Sequence, residues 1–269
     1  IVYNKSEGGL NMKNIRAKRE TSREYLMKLK TGIKNLITFF LIAIICVCGY
    51  RIYEKLNDYK KADDLYANLR TEKEANLDKN NSNSGTANTI DLSSINKDFV
   101  CWINIENTNI DYPVVQGKDN SYYLHRDIYG NYLYAGTTFL DYRDYYDDSK
   151  NLIIYGHNMK NTTMFSQLEK FKEESFFKSN PTITLTDKNG EKNYEVFAVL
   201  LVKKDYPYTI PNFNSDDEYN KFLNKIVDDS IFSTQNKPTS SDKILTLSTC
   251  SYEFKDARTV VFCKEKKIN

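Results

Sequence analysis

The chain has 269 residues, 40% of them hydrophobic and 28% charged, which supplies a packed core and excludes disorder along the whole length. Lys and Arg number 38 against 36 Asp and Glu, and this net charge of +2 argues against a nucleic-acid binder that works through a basic field. Five Cys do not make a disulfide scaffold at this length, and two His, His125 and His157, exclude a polyhistidine metal site.

The chain opens on Ile1, with Met12 and Met27 as candidate starts, so about the first ten residues are set aside from fold reasoning. Leu36 to Tyr50 then runs without a charge. Extended to Ile33 and Ile52 it covers 20 residues, or ~30 Å of helix, the thickness of a bilayer core. Lys34 and Arg51 fall at its ends, where long side chains snorkel to the interface. A buried core helix is the alternative reading. A cleaved signal fits poorly, because RIYEKLNDYKK follows with no small-x-small site. Lys13, Arg16, Lys18, Arg19, Arg23, Lys28, Lys30 and Lys34 precede the run and predict a cytoplasmic N-terminus. The expected organisation is a basic cytoplasmic segment at 1–32, a transmembrane helix at 33–52, a helical stalk and flexible linker at 53–89, and an extracellular domain at 90–269. In the stalk, Leu56, Tyr59, Ala62, Leu65 or Tyr66, and Leu69 recur at helical spacing. Residues 80–89, NNSNSGTANT, read as a joint. On this reading a chain beginning near Ile90 keeps the chemistry.

Beyond Val100 the pattern is mostly strands, in keeping with the 21 Tyr. Apolar or β-branched runs fall at 102–106, 110–115, 137–141, 151–157, 182–187, 194–202, 244–250 and 258–265. The fold class is mainly β with added helices, and about eight strands suit a closed or nearly closed barrel. Helical patterns interrupt them at 164–171 and 216–229. The second places Tyr219, Phe222, Leu223 and Ile226 on one face, with Asp216 and Asp217 at its N-terminus.

Cys250 ends the run ILTLSTC, which leaves its thiol at a barrel rim. Arg258 follows eight residues later and opens the next strand, so an antiparallel hairpin would return it to Cys250. A guanidinium there favours thiolate and can bond an oxyanion. A core Cys and a surface Arg form the competing reading. His157 ends another apolar strand, LIIYGHN, after Gly156, which permits a turn or a close approach. A thiol nucleophile needs an imidazole partner, and His157 suits that place better than His125, read as a surface or half-buried histidine. Cys101 and Cys263 read as apolar packing, with a disulfide between them left open. The loop DYRDYYDDSK, with Asp141, Asp144, Asp147 and Asp148, lacks the spacing of a calcium loop and reads as solvated.

TLSTC with Arg eight residues beyond its Cys, and an upstream His in YGHN, resemble the sortase signature. WINI at 102–105, TNIDYPVVQ at 108–116, DNSYYL at 119–124, GTTFLD at 136–141 and YGHNM at 155–159 are similar to class B sortases in particular. The resemblance covers about 95–265 and includes the helix before the Cys strand. Cys101 departs from it, standing where Gly is expected. The resemblance implies a sortase-type closed barrel and a membrane-anchored cysteine transpeptidase of a Gram-positive bacterium. Such enzymes cut a C-terminal sorting motif of a secreted protein, hold it as a thioacyl-enzyme, and pass it to an amine of peptidoglycan or its lipid-linked precursor.

By matching positions, Cys250 is the expected nucleophile, His157 the general acid and base, and Arg258 the oxyanion and substrate-positioning group. Asn120 and Leu124 match groove positions, and an amide flanking Cys250 is a candidate second oxyanion donor. The resemblance implies no metal and no organic cofactor. Two other functions compete with it: a thiol hydrolase with water as acceptor, and a non-enzymatic surface module with an inert Cys250.

Overall fold

The computed structural model describes residues 7–83, 88–179 and 181–266. Helix α1 is Glu7–Asn83, and the chain divides into two compact units, Ile1–Asn57 and Asp58–Asn269. In the first unit, Ile33, Leu36, Phe39, Phe40, Ile42, Ile45 and Val47 are all exposed, so the apolar surface runs around the helix. A helix that is apolar on every side needs an apolar surrounding. By length and composition it is the one helix among the described residues able to cross a membrane.

The second unit includes the stalk from Asp58. Ala62, Tyr66 and Leu69, spaced by four and three residues on one helix face, are buried in the main core. The Tyr66 hydroxyl donates to the Gly136 carbonyl, and its ring meets Tyr112 edge-on at 5.0 Å. Lys73 pairs with Asp111 at 2.7 Å, which also accepts from Trp102 Nε1 at 2.6 Å. The helical stalk therefore packs on the barrel within the unit Asp58–Asn269. Helix α1 also enters the expected joint as far as Asn83, and residues 84–87 of that joint lie outside the described residues. A chain beginning at Ile90 is expected to be less stable than one beginning at Asp58. Loss of the Tyr66 and Leu69 burial alone is worth about 3–6 kcal/mol. Thermal unfolding of the two chains checks this, and equal midpoints would count against the packing argument.

Eight strands follow: β1 (Phe99–Ile105), β2 (Asp111–Val115), β3 (Thr138–Leu140), β4 (Asn151–Tyr155), β5 (Ile183–Asp187), β6 (Gly190–Lys203), β7 (Ile244–Cys250) and β8 (Ala257–Glu265). They close a barrel in the order β1-β2-β3-β4-β7-β8-β6-β5. Pairs β2–β3 and β4–β7 are parallel, and the other neighbours are antiparallel. Strand β7 is paired on both sides and is buried along its length until Cys250. This explains its unbroken run of Ile, Leu and Thr rather than a polar-apolar alternation. Cys101 and Cys263 are free and buried, so neither is in a disulfide. Burial pushes the Cys101 thiol up to about 12.

Helical segments interrupt the strands. The pattern at 164–171 is a 3-10 helix, Phe165–Lys172, followed by the short α2 (Glu174–Ser179). Helix α3 (Asp216–Asp228) lies in the connection from β6 to β7, with Ser215 accepting from the Glu218 amide as its cap. It buries Tyr219, Leu223 and Ile226. These join Phe197, Leu200, Val260 and Phe262 in a second apolar cluster.

Candidate active site

Three strand ends meet at one rim of the barrel. In the antiparallel β7–β8 ladder Cys250 pairs directly with Arg258. Side chains of directly opposed residues stand on one face, with Cβ atoms ~5 Å apart. In the parallel β4–β7 ladder Tyr155 is level with Ser248. His157 and Cys250 each lie two residues beyond that pair, so they leave the barrel side by side. Cross-bonds hold the two exits together. Asn158 Nδ2 donates to the Cys250 carbonyl at 2.8 Å, and Thr249 Oγ1 donates to the Gly156 carbonyl at 2.8 Å. Cys250, His157 and Arg258 line one cleft of about 310 Å³ with Asn120, Leu124, Tyr155, Lys204, Tyr208 and Ser248.

Gly156 is required by close approach rather than by a left-handed turn. A Cβ there would lie 2.6 Å from the Phe165 ring, which is fully buried. Phe165 thus presses the strand end into the course that delivers His157 to the rim.

His157 Nε2 is 2.8 Å from the Leu124 carbonyl. A carbonyl only accepts, so Nε2 carries a proton and Nδ1 is left to exchange one. Burial pushes the His157 imidazole below its ordinary value, the Leu124 bond opposes this, and the nearby His125 adds to it. Neutral imidazole is therefore favoured, and the imidazolium that does form is a stronger acid.

Leu124 holds His157 through its main chain as well as lining the cleft with its side chain. Gly136, at φ +59°, fits against that same carbonyl, which a Cβ would approach to 2.4 Å. Asn120 borders the cleft, but both ends of its amide are engaged. Nδ2 donates to Asp141 at 2.9 Å, and Oδ1 accepts from the Tyr142 amide at 3.0 Å.

The amide of Ser251, on the far side of Cys250, donates to the Ala257 carbonyl at 2.9 Å. It is engaged in the hairpin. Below the hairpin Glu169 accepts from Thr259 Oγ1 at 2.6 Å and pairs with Lys172, which also pairs with Glu253. These bonds tie the turn between Cys250 and Arg258 to the 3-10 helix.

The aspartate-rich loop departs from the solvated reading at Asp141 and Asp144, whereas Asp147 and Asp148 are exposed as expected. Asp141 is fully buried. It takes the Arg143 fork through Nε and Nη2, each at 2.8 Å, and the Tyr155 hydroxyl at 2.8 Å. An internal fork and hydroxyl satisfy its charge in place of water. Among the described residues no group of three or more His, Cys, Asp or Glu is placed to hold a metal.

Asp144 is 4% exposed. Its Oδ2 accepts from the Ile153 amide at 2.7 Å, and its Oδ1 has no partner among the described residues. Burial, aided by the charge of Asp141, pushes the Asp144 carboxyl up to about 7. The unfolded value is about 3.9, so the folded state holds the extra proton between the two, and stability falls as pH rises through that window. Asp144→Asn is expected to remove a slope on the order of 2–4 kcal/mol between about pH 4 and 7. Thermal midpoints at pH 5 and 8 check it, and parallel slopes in both proteins would sink the assignment.

His125 is the functional neighbour that sequence reasoning missed. It is exposed, as expected of a surface histidine, yet its ring stacks on His157 at 5.4 Å and 19°. Nothing in the spacing of YYLHRD signals this, because the contact depends on the 3-10 turn Tyr122–His125 folding back over the rim.

A thiol, an imidazole and a guanidinium brought together at the rim of a closed barrel define a cysteine-nucleophile acyl-transfer enzyme as a class. The sortase-domain family matches residues 103–266. The chain is 33% identical over 231 residues to sortase B of Listeria monocytogenes, covering 84% of this chain and 93% of that protein. It is similar to the crystal structure of Clostridium perfringens sortase B at 41% identity and a TM-score of 0.63, over 65% of this chain and 98% of that one. The Staphylococcus aureus sortase B–substrate complex matches at 29% identity and a TM-score of 0.71, over 78% and 98% of the two chains. The chain belongs to the sortase family and is a class B sortase, a cysteine transpeptidase. The family in general acts on substrates with sorting motifs and uses peptidoglycan amines as acceptors; the water-acceptor alternative is not favoured.

Proposed function

We propose that Cys250, His157 and Arg258 carry this transpeptidation, from a domain held at the outer face of a membrane. One observation carries the assignment: Cys250 faces Arg258 across one ladder, and Cys250 and His157 each follow by two residues the Tyr155–Ser248 pair that ends the other. The Cys250 thiolate attacks the carbonyl of the sorting motif, and Arg258 steadies the oxygen as it gains charge. The tetrahedral centre collapses to a thioester as His157 gives its Nδ1 proton to the leaving amine. An acceptor amine, on peptidoglycan or its lipid-linked precursor, then attacks the thioester. His157 takes its proton, the new amide forms, and the Cys250 thiolate is released.

Asn120 and Leu124 form the wall of the groove in this reading. Asn120 is held rigid by Asp141 and Tyr142, which suits a fixed edge against an extended peptide.

The apolar helix at 33–52 is the single-pass anchor, with the basic residues of 1–32 on the cytoplasmic side. The segment from Asp58 belongs with the extracellular domain, because its buried face is part of the barrel core. The clients are secreted proteins of a Gram-positive cell.

A panel of sorting-motif peptides, incubated with the full chain in detergent with and without triglycine, tests this reading by mass spectrometry. The expected result is an acyl mass on Cys250 and a peptide–triglycine amide. Cleavage to free acid alone at saturating triglycine would overturn the transfer step. An acyl mass on another residue would overturn the nucleophile.

A further inference from the structure

Three rings stand in a row beside the Cys250–His157 rim. His157 and His125 lie 5.4 Å apart with 19° between their planes. Tyr134 stacks on His125 at 6.0 Å and 21°, and the Tyr134 carbonyl is 3.2 Å from His125 Nδ1. Tyr132 approaches the same ring at 6.3 Å and 36°. Leu124 and His125 are consecutive in the 3-10 turn Tyr122–His125. One contacts the edge of His157 through its carbonyl, and the other covers its face.

We propose that His125 is a positioning residue for His157: its ring covers the face of the imidazole whose edge the Leu124 carbonyl holds, and a charge on it opposes a charge on His157. The proposal rests on His157 serving as general acid, and it concerns the regulation of that role. Two imidazolium rings at this separation repel, whereas one charged and one neutral ring stack without penalty. His125 is exposed and water screens its charge. The repulsion that remains disfavours the protonated form of His157.

Other groups around the pair are in place to be held constant. Cys250, Arg258 and Lys204 face His157 from β7, β8 and the segment after β6. Tyr132 and Tyr134 face His125 from the following loop. Arg126, next in the chain, lies over the Tyr122 ring at 4.9 Å and donates to the Gly130 carbonyl. Tyr252, on the turn after Cys250, donates to the Asn158 carbonyl at 3.0 Å. The charge of His125 already counts among the influences lowering His157, after burial.

The stacking has a kinetic consequence. Removing the His125 ring charge raises the protonated share of His157. The acid limb of kcat/KM should then move to higher pH.

The test uses the full chain in detergent micelles. With only two His in the sequence, two imidazole NMR signals report the two rings directly. His125→Phe keeps a ring in the stack and removes the charge. We expect the His157 midpoint to rise. His125→Ala removes the ring as well. There kcat/KM should fall at least tenfold below that of His125→Phe, because the face of His157 is no longer held. An unchanged His157 midpoint in His125→Phe would overturn the charge effect. Equal kcat/KM in the Ala and Phe variants would overturn positioning. The midpoint is read without turnover, so failure of the general-acid role itself would show separately, as peptide cleavage surviving in His157→Ala.

Discussion

Cys250→Ala is expected to bring cleavage of a sorting peptide to background and to abolish the acyl mass, with the fold intact. Cys250 is only half-buried, at the last residue of β7. Removing one sulfur from a strand end opens little cavity, so the thermal midpoint should move by less than the equivalent of about 1 kcal/mol. His157→Ala is expected to be as damaging, because the thioester cannot form productively without a proton for the leaving amine. The two residues act as one unit, so the double variant should lose nothing beyond either single one. Cys101→Ala and Cys263→Ala supply the contrast. Both thiols are buried in the core, and these changes should cost stability with little loss of turnover in protein that remains folded. Peptide cleavage above a trace in purified Cys250→Ala would remove Cys250 as nucleophile. A further loss in the double variant would mean that His157 serves a step that does not involve the thiol.

The barrel was legible because its strands carry the signals that backbone pairing demands. Runs such as ILTLSTC and RTVVFCKE are β-branched and apolar, and the structure makes each of them a strand. The separation of Cys250 and Arg258 was legible for the same reason. A short turn between two antiparallel strands returns the chain to its starting level, and the ladder pairs these residues directly.

What stayed hidden depends on contacts between distant segments. Asp141 looks like any acid in a polar loop, and only the arrival of Arg143, Asn120 and Tyr155 around it makes burial tolerable. Tyr66 and Leu69 show helical periodicity, which announces an apolar face but not its partner. His125 shows nothing at all in sequence, because ring stacking leaves no periodic trace. The Ser251 amide is a reasonable oxyanion donor by position, and only the register of the hairpin shows its bond to the Ala257 carbonyl.

Arg258→Lys is expected to lose most of the activity although the charge is kept. Arg258 stands opposite Cys250 in the ladder and lines the same cleft. Its Nη1 donates to the Ala257 carbonyl at 2.9 Å, so one arm of the guanidinium is fixed by the backbone. A planar group held at one arm presents its remaining donors in a set direction, toward an oxygen that gains charge in the transition state. Lysine offers a compact ammonium on a flexible stem. It cannot hold the backbone carbonyl and the oxyanion in that fixed geometry. Loss of one oxyanion donor typically costs roughly 10²–10³ in kcat, about 3–4 kcal/mol. If Arg258 acted only by attracting the thiolate, Lys would largely replace it, since Coulomb attraction does not depend on the fork. Peptide cleavage by Arg258→Lys and Arg258→Ala, with thiol alkylation of Cys250 followed against pH in parallel, separates the two roles. The geometric role predicts a thiol titration near that of the wild type in Arg258→Lys, combined with a large fall in kcat. Turnover near normal in the Lys variant would leave Arg258 a purely electrostatic part, and an unchanged rate in Arg258→Ala would remove it from the chemistry.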